Sequence, residues 1–376
     1  MIIGIDGNEA NTKEKVGVHQ YAYELLHSFY RICKNQKLQL RFLIYLKEPP
    51  SADLPTENEY WKYIVIPGEG LWILRRLMPA LLTNSTIDVF FSPSHYLPFL
   101  YRTPQVCTIH DLGYLEYSEQ FKKKDYWQLK YWSAISIFTS KKIIAVSEST
   151  KKEIVRHYPR ASNKTSVVYH GYDNKRFNIN IYAKNVRHIL RKYNISKNYM
   201  LFIGMLKPSK NIPGLLQAFK IIKELGCDYQ LVIAGKKGWL YEDIFKKVIK
   251  EGLVDDVVFT DYLAEEDKPG LIRGAKLLVS PSYWEGFGMQ VLEAMACGVP
   301  AVVSNVASLP EVAGEAGIYV DPNNAKSIAK GVKKVLDMSK TEYNMLVKSC
   351  LDQASKFSWV KTGRETLDIL INEGKR

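Results

Sequence analysis

The stretch AKLLVSPSYWEGFGMQVLEAMACGVPAVVS, residues 275–304, decides the fold. It opens on a strand-like apolar run, Ala275 to Ser280, turns through Gly286-Phe287-Gly288, and continues as a short helix from Met289 to Cys297. A second apolar run, VPAVVS, closes it. Strand, tight turn, helix and strand in immediate succession is the βαβ unit of a parallel sheet. Working outward, the same alternation recurs: IIGID, a helix through Tyr30, LRFLIYL, DVFFS, QVCTIHD, KIIAVS and SVVYHG come before, and YMLFIG, YQLVIAG and VVFT nearer by. A polar stretch rich in Asn and Lys, Asp173 to Asn198, separates the two series and reads as a linker. The fold class predicted is α/β: two Rossmann-like domains with parallel sheets, residues 1–178 and residues 197–356. Open sheets of this kind bind ligands at the carboxyl ends of their strands, so a cleft between the domains is expected to hold the site.

The central stretch also carries chemistry. Gly286 and Gly288 let the backbone turn and approach a ligand closely. The helix that follows starts with unpaired amides, and these with the helix dipole suit a diphosphate. Glu285 stands just before that helix, and Glu293 shares a helical stripe with Met289 and Gln290. Set among Val291, Leu292, Ala294, Met295 and Ala296, Glu293 needs hydroxyl or amide donors to offset its desolvation. A sugar nucleotide supplies hydroxyls at both ends. The plainer alternative makes Glu285 an N-cap and Glu293 a solvated helix residue.

At 376 residues the chain has room for two cores, and 46% hydrophobic with 24% charged residues excludes disorder. The five cysteines lack CxxC spacing and no secretory signal precedes them, which implies a reducing, cytoplasmic setting without a zinc site. The net charge of +13 divides almost evenly, +7 in residues 1–176 and +6 in the rest. It implies an anionic partner: phosphorylated substrate, nucleic acid or membrane surface. No apolar run reaches the roughly 18 residues of a spanning helix. Two segments have the composition of a headgroup interface. Gly70 to Leu82, GLWILRRLMPALL, either rests on a membrane or packs Leu71, Trp72, Ile73 and Leu74 into a core. Phe121 to Lys142 carries six lysines, one acid, Tyr126, Trp127, Tyr131 and Trp132, and is expected at the cytoplasmic face of a membrane.

Residues 281–322, PSYWEGFGMQVLEAMACGVPAVVSNVASLPEVAGEAGIYVDP, resemble the signature stretch of the family 4 retaining glycosyltransferases. GVHQYAYELL, TIHDLGYLE, IIAVSEST, VVYHGYDNKRF, LFIGMLKPSKN and LVIAGKKGW agree in order, so the resemblance covers nearly the whole chain. It implies the GT-B fold, with the last helix (residues 357–376) crossing back onto the N-terminal domain. It also implies a nucleotide-activated hexose as donor, GDP-mannose ahead of UDP-hexose, and a saccharide or lipid-linked saccharide as acceptor. By the same resemblance Lys210 contacts the diphosphate, Gly17 approaches it from the N-terminal domain, and His110 stands beside the donor sugar. Glu285 grips hydroxyls of that sugar and Glu293 the ribose. Gly204, Gly286, Phe287, Gly288 and Met289 line the donor, and Tyr262 and Leu263 flank its base. His110, Lys210 and Glu285 are the expected catalytic residues. The arginine often found five residues before the lysine is Met205 here, and the one found directly before it is Ser209. Phosphate neutralisation then rests on Lys210, helix amides and Lys207.

The residues alone give each of these a structural alternative: a solvated loop lysine, a turn glycine, a satisfied histidine. Ser147 reads as the N-cap of a helix from Glu148, and His170 as a turn residue at the domain boundary. No DxD cluster with a supporting histidine is present, so neither metal nor cofactor is expected. No carboxylate is an obvious nucleophile, and a front-face reaction assisted by the leaving phosphate is the more economical mechanism. An NAD-dependent oxidoreductase is disfavoured, because Val291 occupies the third small position of GFGMQV and Ser304 replaces the acid after the next strand. A nucleic-acid-binding protein would concentrate its charge in one stripe, and no nucleic-acid partner is expected.

Overall fold

The computed structural model describes residues 1–36, 39–83 and 86–375. It divides into two compact units, residues 1–171 with 358–376, and residues 172–357.

The first unit is built on β1 (Ile2–Asp6), β2 (Arg41–Leu46), β3 (Trp61–Val65), β4 (Val89–Ser92), β5 (Gln105–Ile109), β6 (Lys142–Ala145) and β7 (Thr165–Val167). They form one parallel sheet in the order β3-β2-β1-β4-β5-β6-β7. β4 and β5 are buried at every position, the polar Ser92, Gln105 and Thr108 included, as a sheet covered on both faces requires. The helix Val18–Gln36 covers one face, and the closing helix Trp359–Gly374 packs against it. Ser28 donates to the Trp359 carbonyl at 2.7 Å, and Gly363 lets the helices meet, since a Cβ there would stand 2.2 Å from Ser28 Oγ.

The second unit is built on β8 (Tyr199–Ile203), β9 (Gln230–Ala234), β10 (Val257–Phe259), β11 (Leu277–Ser280), β12 (Ala301–Ser304) and β13 (Ile318–Val320). Its order is β10-β9-β8-β11-β12-β13, again parallel throughout. The helices Ile212–Glu224 and Ala325–Leu336 pack together over one face, where Leu216, Phe219, Ile328 and Val332 join Leu231, Val279 and Val302 in the core. Asn324 starts the second of them by accepting from the Lys326 and Ser327 amides. The polar stretch Asp173 to Asn198 is more than a linker: it contains the helix Ala183–Lys192, which packs on the helix Lys268–Gly274.

In each sheet the strand order reverses direction once. The chain leaves β1 towards β2 and returns to β4 on the other side, and it leaves β8 towards β9 and returns to β11. The carboxyl ends of β1 with β4 and of β8 with β11 are the topological switch points, where open α/β sheets hold ligands.

Candidate functional site

At the switch point of the second unit, the loops after β8 and β11 are tied together by Asn211. Its backbone is left-handed (φ 53°), and its side chain accepts from the Gly214 amide at 3.2 Å, capping the helix Ile212–Glu224. Asn211 Nδ2 donates to the carbonyls of Pro281 at 3.0 Å and Pro322 at 2.7 Å. The Tyr283 amide donates to the Ser209 carbonyl at 2.9 Å. The consequence is a fixed distance between two side chains 75 positions apart: Lys210 Nζ donates to Glu285 Oε1 at 2.6 Å and Oε2 at 2.7 Å. Both side chains are close to buried, 12% and 9% exposed.

Glu285 Oε1 also accepts from Ser282 Oγ at 2.8 Å and from Gln290 Nε2 at 3.1 Å. Burial alone would push the Glu285 carboxyl up, but the Lys210 ammonium, helped by Ser282 and by the charge of Lys207, holds it below the ordinary range. The pair is therefore a carboxylate and an ammonium, both ready to hydrogen-bond. Gly288 (φ 99°) precedes the helix Met289–Ala296 without capping it, so Glu285 is not an N-cap. Ser308 Oγ donates to the carbonyls of Glu285 and Phe287, each at 2.9 Å, and pins the turn from below. Gly204 (φ 158°) leaves Lys210 its path, with the lysine Cε 3.5 Å from where a Cβ would be.

Glu293 lies inside the helix and is 6% exposed, so the solvated alternative fails. Lys268 Nζ stands 3.0 Å from its Oε1 and 2.8 Å from its Oε2, but only the first contact has hydrogen-bonding geometry. Oε2 keeps acceptor capacity. Burial pushes this carboxyl up, and although Lys268 opposes that, Glu265 reinforces it. Arg176 holds Glu265 in place at 3.1 Å. At the end of β10, Tyr262 is half-exposed with Lys236 Nζ 4.8 Å from its ring, while Leu263 is buried.

The first unit carries its own polar constellation. Gly17 (φ 55°) opens the helix Val18–Gln36, and nothing lies within 4 Å of a Cβ placed there. His110, just after β5, shares its Nε2 with the Pro93 carbonyl at 2.9 Å, receives the edge of Tyr21 at 4.9 Å, and has its own carbonyl bonded by Thr150. Burial pushes its pKa below the ordinary histidine value, so at neutral pH it is an uncharged imidazole. After β1, Glu9 Oε2 meets His19 Nε2 at 3.2 Å. Burial would raise the Glu9 carboxyl, but opposing contacts led by the hydrogen bond with His19 outweigh it and hold the carboxyl below its ordinary range. Burial drives His95 to about 4, and Asp6 at the end of β1 up to about 6 against the amides of Asn8.

The remaining sequence expectations fall out differently. Ser147 is the N-cap of the helix Glu148–His157, accepting from the Thr150 amide. His170 lies in the loop segment just before the boundary at Gly171, as expected, and it is buried there at 4% exposure, stacked on Tyr21 at 4.6 Å and beside Trp359. Trp72 is buried and donates to the Ile66 carbonyl at 2.7 Å, whereas Leu71 and Leu82 are exposed. Among the described residues, Glu116, Glu153 and His157 gather three potential metal-ligand atoms, but Arg156 occupies the cluster, pairing with both carboxylates. No described helix is long and apolar enough to cross a membrane.

Sequence reasoning missed Lys268, Ser282, Arg176 and the cluster of Glu9, His19 and His95. Only Ser282, three residues before Glu285, had a local signal.

Comparison with known proteins follows the same division. Residues 19–176 match the family described as Glycosyltransferase Family 4, and residues 186–348 match glycosyl transferases group 1. The O-antigen chain mannosyltransferase B of Escherichia coli is 32% identical over 285 residues, covering 74% of this chain and 73% of its own. The serotype-specific mannosyltransferase WbdA of Escherichia coli is 30% identical over 70% of this chain, which spans only 33% of that longer protein. Anabaena Alr3699/HepE, solved in complex with UDP-glucose, shares the fold with a TM-score of 0.75 over 99% of both chains at 18% identity.

Proposed function

The chain belongs to the family 4 glycosyltransferases of GT-B fold, and we propose that it transfers mannose from GDP-mannose to a saccharide acceptor with retention of anomeric configuration. One observation carries the donor site: the buried Lys210–Glu285 pair at the switch point, next to the uncapped start of the helix Met289–Ala296. Without ligand these two charges satisfy each other. A sugar diphosphate gives each a better partner, the diphosphate for the ammonium and sugar hydroxyls for the carboxylate. Glu293 Oε2 then accepts from the ribose, and the amides of Phe287, Gly288 and Met289 face the phosphates. Tyr262 and Leu263 flank the base.

As the bond from the anomeric carbon to the phosphate oxygen breaks, the acceptor oxygen bonds that carbon from the same face, and its proton passes to the departing phosphate. Lys210 stabilises the growing charge on the leaving group. Neutral His110 contributes a hydrogen bond to the donor sugar rather than a charge, and Gly17 offers backbone to the diphosphate. The reaction assigned to these residues draws on no metal or cofactor. The mannose assignment rests on the names of the relatives, and UDP-hexose is the second donor to try.

A lipid-linked acceptor suits the helix Lys123–Thr139. Trp127, Tyr131 and Phe138 are 47%, 60% and 62% exposed on it, and the Trp127 and Tyr131 rings stack at 5.5 Å with Lys130 Nζ 4.9 Å from the indole. Exposed aromatics beside lysines favour peripheral contact with an anionic membrane. The test of function is an NMR-monitored assay of GDP-mannose and UDP-glucose with mannose-terminated acceptors. Transfer from GDP-mannose giving an α-linked product supports the reading, and a β-linked product or no transfer from either donor sinks it. Sedimentation with phosphatidylglycerol vesicles tests the membrane contact, which Trp127→Ala with Tyr131→Ala should abolish.

A further inference from the structure

The second unit has a recess of about 410 Å³ whose lining includes neither Lys210 nor Glu285. It lies where the segment 175–185 passes over the start of the helix Lys268–Gly274, and its walls include Asn180, Tyr182, Asn185, Arg176, Glu266 and Pro269. The volume falls at the small end of the roughly 300–1,000 Å³ of ligand pockets.

The walls are held by hydrogen bonds within the segment 173–180. Asn178 Nδ2 donates to the carbonyls of Asn174 at 3.2 Å and Lys175 at 3.0 Å, while its Oδ1 accepts from the Asn180 amide at 2.9 Å. The Lys175 amide is held by Asp173 at 2.9 Å. Gly270 lets the floor close up, because a Cβ there would stand 2.3 Å from Ile189 Cδ1. On this fixed frame Asn180 and Asn185 engage no other described residue through their side-chain amides, and Tyr182 is 77% exposed.

Charge decides the ligand class. Arg176 spends its guanidinium on Glu265, bonding both its carbonyl and its carboxylate, and Lys175 and Glu266 bring opposite charges to the lining. A recess with no net charge gives a phosphate or nucleotide little purchase. Two free amides, each donating and accepting, beside a flat exposed aromatic face match a neutral polyhydroxy ring. We infer that this recess is a non-catalytic saccharide-binding site, separate from the donor site, which takes one or two neutral sugar residues. It goes beyond the transferase reading and borrows from it only the choice of probe.

The test is calorimetric titration of the full chain with an α-linked mannotriose, in the wild type and in the variant Tyr182→Ala with Asn185→Ala. Both residues are exposed, so the fold and the turnover of GDP-mannose are expected to stay within twofold. The inference predicts binding by the wild type and at least a tenfold loss in the variant, matched by Asn180→Ala alone in direction. Equal affinity in wild type and variant, no binding by the wild type at millimolar trisaccharide, or displacement of the sugar by inorganic phosphate overturns it. If no donor is turned over but the variant-sensitive binding remains, the transferase reading fails and this one stands.

Discussion

Two glutamates eight positions apart, each buried and each paired with a lysine, are driven in opposite directions. Glu285 receives both contacts of Lys210 within hydrogen-bonding geometry and further donors from Ser282 and Gln290, and its pKa falls. Glu293 receives one such bond from Lys268, with Glu265 nearby repelling its charge, and its pKa rises. Burial is common to both. What differs is the number of donors turned towards the carboxylate, and this separates a group whose partners outweigh burial from one in which burial prevails and an acceptor position is left for a ligand.

The sharpest way to break the comparison is Lys210→Ala. It should lower kcat/KM by about 10²–10³-fold, and leave Glu285 buried and unpaired at a cost of roughly 3 kcal/mol in urea unfolding. Adding Glu285→Gln should recover part of that stability and none of the turnover. Glu293→Gln is milder: one charged acceptor is lost from the ribose, so the donor KM should rise about tenfold to a hundredfold, with a smaller stability change than Lys210→Ala. Gly288→Ala strains the turn between the two acids. With φ at 99° and a Cβ 2.9 Å from Leu309 Cδ2, it should cost about 1–3 kcal/mol in thermal or urea unfolding.

The pH dependences carry opposite signs. Glu285, depressed in the folded state, stabilises above its unfolded pKa and loses that contribution as the pH falls through its folded value. Glu293, raised in the folded state, contributes most below its unfolded pKa, and stability drains away as the pH climbs through its raised value. Unfolding curves across this range should show the falling component vanish in Glu293→Gln and persist in Glu285→Gln. The smallest effect sharpens the contrast from outside: Lys197 and Asp228 are also 2.6 Å apart but 43% and 76% exposed, and Asp228→Asn should leave the urea midpoint unchanged.

The fold was legible wherever strands were predominantly apolar runs, as in β4, β5, β8, β9, β11 and β12. β3 escaped because, at the edge of its sheet, Trp61–Val65 mixes a buried Trp61 with exposed Lys62 and Val65. β13 has only three residues, one of them exposed. The helix Ala183–Lys192 hid in a polar stretch because Ile189 is its one buried residue. Within the candidate site, Glu285, Glu293 and Lys210 stood out by their neighbours in sequence, but the pairing of Lys210 with Glu285 did not. It depends on Asn211 bonding two prolyl carbonyls 70 and 111 positions away. Lys268 reaches Glu293 by another route: it opens the helix Lys268–Gly274, which packs against the helix Met289–Ala296 that carries Glu293.

The central claim is that the Lys210–Glu285 pair is the seat of an activated sugar. Calorimetric titration of the wild type, Lys210→Ala and Glu285→Gln with GDP-mannose tests it most directly. The account predicts binding by the wild type, at least a hundredfold weaker binding by Lys210→Ala, and in Glu285→Gln a loss seen with GDP-mannose but not with GDP. Wild-type affinity for GDP-mannose in both variants would contradict it.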